Sequence, residues 1–153
     1  MPDYQTGFYF GLTVDGETPG TDAAFQEASG LSVEMGVEEV VSGGENRFKY
    51  RLPAATTYPN LVLKRGISFD TSPLMAWCHK ILSSGLAVPI TTKKIILNLF
   101  DVNGQSTMSW SFVGAYPLKW SVSDMKSQES SVLIETIELA YQYFTITDPR
   151  CKK

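Results

Sequence analysis

Apolar and polar side chains alternate along most of this chain, and that two-residue period points to a fold of half-buried β-strands. Phe8, Phe10, Leu12 and Val14 alternate with Gly7, Tyr9, Gly11 and Thr13. Residues 15–22, rich in Gly, Thr, Asp and Pro, read as a loop, and residues 25–29 as a short strand before Gly30. Residues 61–68 form another strand, after a loop over residues 54–60. Residues 93–102 and 105–115 read as a hairpin around Asn103-Gly104, a strong two-residue turn signal, with Met108, Trp110 and Phe112 on one face. Residues 118–122 add a further short strand. At one place the period changes. Leu74, Trp77, Cys78, Ile81 and Leu82 follow i, i+3, i+4, i+7 and i+8, which predicts an amphipathic helix over about residues 72–84. Ser72 caps its N-terminus, Pro73 suits the first helical position and Gly85 ends it.

Residues 31–53 make the clearest local unit. Val33, Met35 and Val37 oppose Glu34, Gly36 and Glu38 on the first strand; Phe48, Tyr50 and Leu52 oppose Arg47, Lys49 and Arg51 on the second. A turn centred on Gly43-Gly44 pairs Met35 with Leu52, Val37 with Tyr50 and Glu38 with Lys49. One face is then apolar and the other carries opposite charges across the ladder, either as a solvated face or as the lining of a polar channel. The final run, residues 132–147, has only Glu135 and Gln142 as marked polar interruptions. Straight, its length would be roughly 53 Å at about 3.3 Å per residue. A single domain of this size is only about 38 Å across. The run therefore bends or bulges inside the domain, or pairs outside it.

The 153 residues fit one domain, residues 1–153, with no internal repeat, linker or low-complexity segment. The fold class is mainly β: packed antiparallel sheets forming a sandwich or barrel with one flanking helix. Thirteen basic against 16 acidic residues, net −3, argue against a nucleic-acid coat or a polybasic membrane anchor. The first five residues, Met1-Pro2-Asp3-Tyr4-Gln5, show neither a basic nor an apolar leader pattern, and no apolar run reaches the roughly 18 residues needed to span a bilayer. Cys78 and Cys151 are expected as reduced thiols, and a single histidine, His79, removes most zinc patterns.

The chemistry of a site is thin. No phosphate-binding glycine motif precedes a helix, and Ser42-Gly43-Gly44 precedes a strand instead. Cys78 and His79 diverge on a helix and make no ready dyad. Glu34, Glu38 and Glu39 have basic cross-strand partners, and Asp101 and Asp124 have no companion at metal-ligand spacing. Trp110, Tyr116 and Trp120 suit core or interface packing, since no basic stripe surrounds them. No catalytic, cofactor or metal residue is assigned. A β domain with strand edges, turn-tip glycines and no site works through its surface.

Three stretches carry a resemblance. The first is Phe25-Gln26-Glu27-Ala28-Ser29-Gly30-Leu31-Ser32-Val33-Glu34, followed by Ser42-Gly43-Gly44-Glu45-Asn46. Next come Leu52-Pro53 and Tyr58-Pro59-Asn60-Leu61-Val62-Leu63-Lys64-Arg65-Gly66, the most specific part. Last come Trp110-Ser111-Phe112, Ala115-Tyr116-Pro117-Leu118-Lys119-Trp120 and Glu135-Thr136-Ile137-Glu138-Leu139-Ala140. Together, over about residues 8–144, the chain resembles the tail-tube protein family of contractile phage tails and related bacterial contractile injection systems. At Ala54-Ala55 it departs from a Gly-Arg-like pair of that family.

The resemblance implies packed β-sheets with a flanking helix, a fold shared with the haemolysin-coregulated protein of type VI secretion. It implies a non-enzymatic subunit whose hexameric rings stack into a hollow inner tube driven by sheath contraction. Partners would be the chain itself, a sheath protein, baseplate or spike and tube-terminator proteins, and DNA or a protein toxin as luminal cargo, with no stable membrane anchor. Assembly in the bacterial cytoplasm, as part of a phage tail or a released tail-like particle, follows from the same likeness. It assigns subunit and ring contacts to Ser42, Gly43, Gly44, Glu45, Asn46, Tyr58, Pro59, Asn60, Lys64 and Arg65, with the Ser42–Asn46 tip expected to stack rings. Two other readings stay open: a baseplate-proximal tube initiator of the same fold, and a monomeric β-barrel holding a ligand beneath Trp110 and Trp120. A hydrolase using Cys78 or His79 lacks an identifiable partner residue.

Overall fold

The computed structural model describes residues 9–15, 22–23, 25–41, 43–44, 47–67, 71–127 and 132–151. Its strands are β1 (Tyr9–Val14), β2 (Asp22–Ala23), β3 (Glu27–Ser29), β4 (Glu34–Val40), β5 (Tyr50–Thr57), β6 (Leu61–Gly66), β7 (Lys93–Phe100), β8 (Ser106–Val122), β9 (Ile134–Ala140) and β10 (Tyr143–Thr147). Helix α1 (Pro73–Ser84) lies between β6 and β7, and a short 3₁₀ turn, Pro149–Cys151, follows β10. One large sheet runs β2-β1-β7-β8-β9-β6-β3, with β10 also on β8, and β4 and β5 form a separate ribbon. Every described pairing is antiparallel. The large sheet ends in β2 and β3 instead of joining them, so the body is an open, sandwich-like fold and not a closed barrel.

The alternation seen in the sequence becomes the core. Leu12, Leu61, Leu63, Ile95, Leu97, Phe112, Ile137 and Leu139 are fully buried, at alternate positions of β1, β6, β7, β8 and β9. Leu74, Trp77 and Cys78 close the core from α1, which packs on β8. The helix begins and ends where expected: Ser72 Oγ accepts from the Met75 amide at 3.3 Å, Pro73 occupies the first turn and Gly85 takes a left-handed φ of 58°. The Trp77 indole N–H donates to Thr91 O at 2.9 Å, which ties the helix to the segment entering β7.

Several local expectations change. The 105–115 and 118–122 strands are one strand, β8, seventeen residues long and continuous through Pro117. A strand of that length fits because it is bent. Its register shifts against β7 between Lys93 and Ile95 and between Leu99 and Phe100, and against β9 between Pro117 and Lys119. Each shift inserts an extra β8 residue, which increases local twist. At the first, Gly114 adopts φ +69°, and the apolar spacing slips so that Phe112 and Ala115, three apart, are both buried.

The 132–147 run bends inside the domain. It divides at Tyr141-Gln142 into β9 and β10, both of which pair with β8. The turn after β7 has five residues, not two. Asp101 Oδ1 accepts from the amides of Asn103 and Gln105, and Gly104 takes φ +83°. Residues 54–57, expected in a loop, extend β5. The first strand is described from Tyr9, and β6 ends at Gly66; Phe8 and Ser68 lie outside the described residues.

Candidate subunit interface

The β4–β5 ribbon is a projecting arm: its strands pair with each other and with no other described strand. Along it Met35, Val37, Tyr50 and Leu52 are each about half exposed, which leaves apolar surface of the kind found at contact sites. An isolated two-stranded ribbon is marginal in water. Sequence and contacts therefore both leave this element short of a partner.

Its register differs from the expected one. Val37 faces Pro53, Glu38 faces Leu52, Glu39 faces Arg51 and Val40 faces Tyr50, while Met35 faces Thr56 across a shift at Gly36. The turn therefore sits further along the chain than Gly43-Gly44, and the charge partner of Lys49 is Glu39, at 3.8 Å, rather than Glu38. The bulge has a steric reason. A Cβ on Gly36 would lie 3.1 Å from both Ala54 Cβ and Ala55 O, so Gly against Ala-Ala permits the close approach. The extra residue lies on β5, so β4 keeps its alternation and Met35 and Val37 share a face. One face carries Glu34, Glu38, Val40, Tyr50 and Leu52; the other carries Met35, Val37, Glu39, Arg51 and Pro53.

Of the nominated contact residues, Gly43 and Gly44 lie exposed at the arm's tip, Gly44 with φ +91°. Ser42, Glu45 and Asn46 fall outside the described residues. Tyr58 packs edge-on against Tyr141 and Phe144, with ring centroids 5.9 and 5.1 Å apart. Exposed Pro59 precedes Asn60, whose amide donates to Glu138 Oε1 at 2.8 Å. Lys64 is half-buried beside Glu27, at 4.0 Å.

Arg65 is turned inward. Its Nε donates to Glu135 Oε1 and its Nη2 to Ser72 Oγ at 3.0 Å, and the guanidinium lies 4.8 Å over the Phe25 ring. The Trp120 indole N–H donates to the other Glu135 oxygen at 3.1 Å. This buried network joins β6, β8 and β9 to the helix cap, a role for Arg65 inside the subunit that its place in the motif did not announce. Glu135 was visible only as a polar interruption of an apolar run.

A second surface feature had no motif. Between α1 and the strand entering β7 lies a groove of about 330 Å³. Trp77, Ile81, Val88 and Pro89 form its apolar wall, and Lys80 and Lys93 stand along it; no acidic residue is among its described lining. Leu86 and Ile90 continue the exposed apolar surface beside it. The available signal was the apolar Leu86-Ala87-Val88-Pro89-Ile90 run after Gly85, which serves no helical period.

Cys78 and His79 do not form a dyad. Cys78 is buried and His79 exposed, with the imidazole 4.7 Å from the Trp120 ring. Among the described residues no three His, Cys, Asp or Glu side chains group to hold a metal ion. No described helix is long and apolar enough to cross a membrane.

Comparison with known proteins fits this geometry. Among solved structures, the chain is 27% identical to a chain of the anti-feeding prophage baseplate, with a TM-score of 0.78 and 97% of each chain covered. At 19% identity it shares the fold of a chain in the extended sheath-tube complex of an extracellular contractile injection system, PVC, with a TM-score of 0.75 over 92% of this chain and 88% of the other. Hcp1 from Salmonella typhimurium shares the fold more distantly, at 16% identity and a TM-score of 0.56 over 92% and 86%. No curated protein sequence matches. A family model described as the T4-like virus tail tube protein gp19 matches residues 6–145. The chain belongs to the T4-like tail tube protein family.

Proposed function

We propose that this chain closes with five copies of itself into a ring, and that rings stack into the inner tube of a contractile tail or injection particle. The observation that carries the reading is the projecting β4–β5 arm, with apolar side chains on both faces and no described strand of its own body beside it. Symmetric assembly gives such an element the same partner in every subunit. In this reading the arm and its tip, Ser42, Gly43, Gly44, Glu45 and Asn46, stack one ring on the next. The surface at Pro59, Asn60 and Lys64 contributes to contacts within the assembly, and Tyr58 and Arg65 hold that surface in shape.

The subunit works mechanically and carries no active site. Its partners are a sheath protein outside the tube, baseplate and terminator proteins at its ends, and DNA or a protein toxin in its lumen. It assembles in the bacterial cytoplasm and leaves as part of a tail or a tail-like particle. A second position has support in the baseplate chain that is 27% identical to this one: the ring that starts the tube.

The test is negative-stain microscopy with light scattering on the purified chain and on intact particles. Rings of six and tubes are expected; a chain isolated from particles in any form other than a ring overturns the proposal. Replacing Glu45 and Asn46 by Gly and Ser is expected to keep rings and shorten tubes. Loss of rings with retained folding would move the tip to closure within a ring. Labelled protein found at one end of the particle, and not along it, would assign the starting ring.

A further inference from the structure

We infer that the groove on α1 is the receptor for the β4–β5 arm of a second copy of this chain. The inference rests on the ring-and-tube reading above and adds to it the seat of the arm. Three properties of the two surfaces match. The groove offers an apolar wall, Trp77, Ile81, Val88 and Pro89, with two lysines and no described acid. The arm's Glu38–Leu52 face offers Val40, Tyr50 and Leu52 around Glu38, with Glu34 further along the same face. Glu38 faces Leu52 across the ladder, so the charge sits in the middle of apolar surface and not within the Glu39–Lys49 pair of the opposite face.

An apolar patch centred on an acid suits an apolar wall flanked by Lys80 and Lys93. The lysines select this face over the other, where Arg51 would meet them with like charge. Reach is adequate as well. The seven residues of β4 span about 24 Å at about 3.4 Å per residue. The radius of gyration of a domain of this size is only about 15 Å. A ribbon of that length covers most of one face of a neighbouring domain about 38 Å across. In the single chain both surfaces stand open: Tyr50 and Leu52 are about half exposed, and Leu86, beside the groove, is 91% exposed. The seat is thus supplied by another copy.

Charge reversal tests the contact from both sides. Lys80→Glu and Glu38→Lys are each expected to lower the tube fraction, measured by sedimentation and microscopy, roughly tenfold, since each sets like charges together. The double variant is expected to restore tubes. Leu52→Asp, placed on the exposed arm, is expected to do the same damage without altering the melting of the body. In a Cys151→Ser background, mixing Tyr50→Cys with Ser84→Cys protein under mild oxidation is expected to give a disulfide-linked pair of chains. Normal tubes from Lys80→Glu, or no rescue by the double variant, overturn the inference while leaving the ring-and-tube reading intact. Lys80→Glu tubes of normal length that no longer hold purified sheath protein also overturn it, because the groove would then seat the sheath. Wild-type protein that forms no ring in particles overturns both.

Discussion

Glu135 is the residue on which most of the buried polar chemistry converges. Both of its oxygens are used, one by Arg65 and one by the Trp120 indole, and the pair side chains are only 11% and 7% exposed. A carboxylate held this way gives little net stability over an apolar core, but removing it is costly because a buried cation loses its counter-charge. Glu135→Ala is expected to cost about 3–5 kcal/mol. For a chain of this size that is a fall in Tm of roughly 10 °C, measurable by calorimetry. Tyr141 is the opposite case. Its hydroxyl is buried with no hydrogen-bond partner among the described residues, against Tyr58, Phe112 and Phe144. Burial, and then the neighbouring Tyr58, push its phenol up to about 12 from an ordinary value of 10.0. Because the folded value is the higher one, the stability tied to the neutral phenol is complete below pH 10 and is lost as pH rises to about 12. Urea unfolding across that interval is expected to show the loss, and Tyr141→Phe to flatten it. At neutral pH the same substitution removes an unmatched polar group and is expected to raise stability by about 1 kcal/mol. A fall in stability at neutral pH would show that the hydroxyl is satisfied in solution.

At the scale of elements, α1 and the arm show opposite balances of local and distant information. The helix was legible because its signals are adjacent in sequence: the Ser72 cap, Pro73, the 74-77-78-81 stripe and Gly85. Trp77 anchors it, 6% exposed and bonded to Thr91 O, so Trp77→Ala is expected to cost about 3–5 kcal/mol in denaturant unfolding. A loss below about 1 kcal/mol would mean that the face is not packed. The arm's two strands were legible from alternation, but their register was not. Centring the turn on the two glycines placed it too early for the Val40–Tyr50 pairing, and the separate shift opposite Gly36 depends on which residues lie across the ladder. Only pairing with Ala54 and Ala55 reveals that Gly36 is needed there. The same reason hid the continuity of β8. Pro117 looks like a break in a lone segment, whereas in the sheet a register shift beside it keeps the strand on β9.

At the scale of the whole molecule, exposed apolar side chains run along the arm and beside the groove, outside the buried core that stabilises the body. Assembly that covers them binds only folded chains, so stability and concentration are linked. The Tm of the purified chain is expected to rise by several degrees between micromolar and hundredfold higher concentration, with scattering rising in step; a Tm independent of concentration would mark a chain that stays a monomer. Net charge moderates this association without preventing it: a subunit of −3 gives a ring of six about −18, a field that disfavours tight DNA binding. The sequence by itself determined the mainly β class, the place and caps of the helix, the alternating core positions and, through its motifs, the family. Each of these depends on residues within a few positions of one another, where period, cap and turn chemistry act. Tertiary structure alone decided the arm's register, the single bent β8, the inward turn of Arg65 to Glu135 and the groove on α1. These depend on which distant segments meet, and burial, bulge sterics and charge pairing act only after the chain has brought them together.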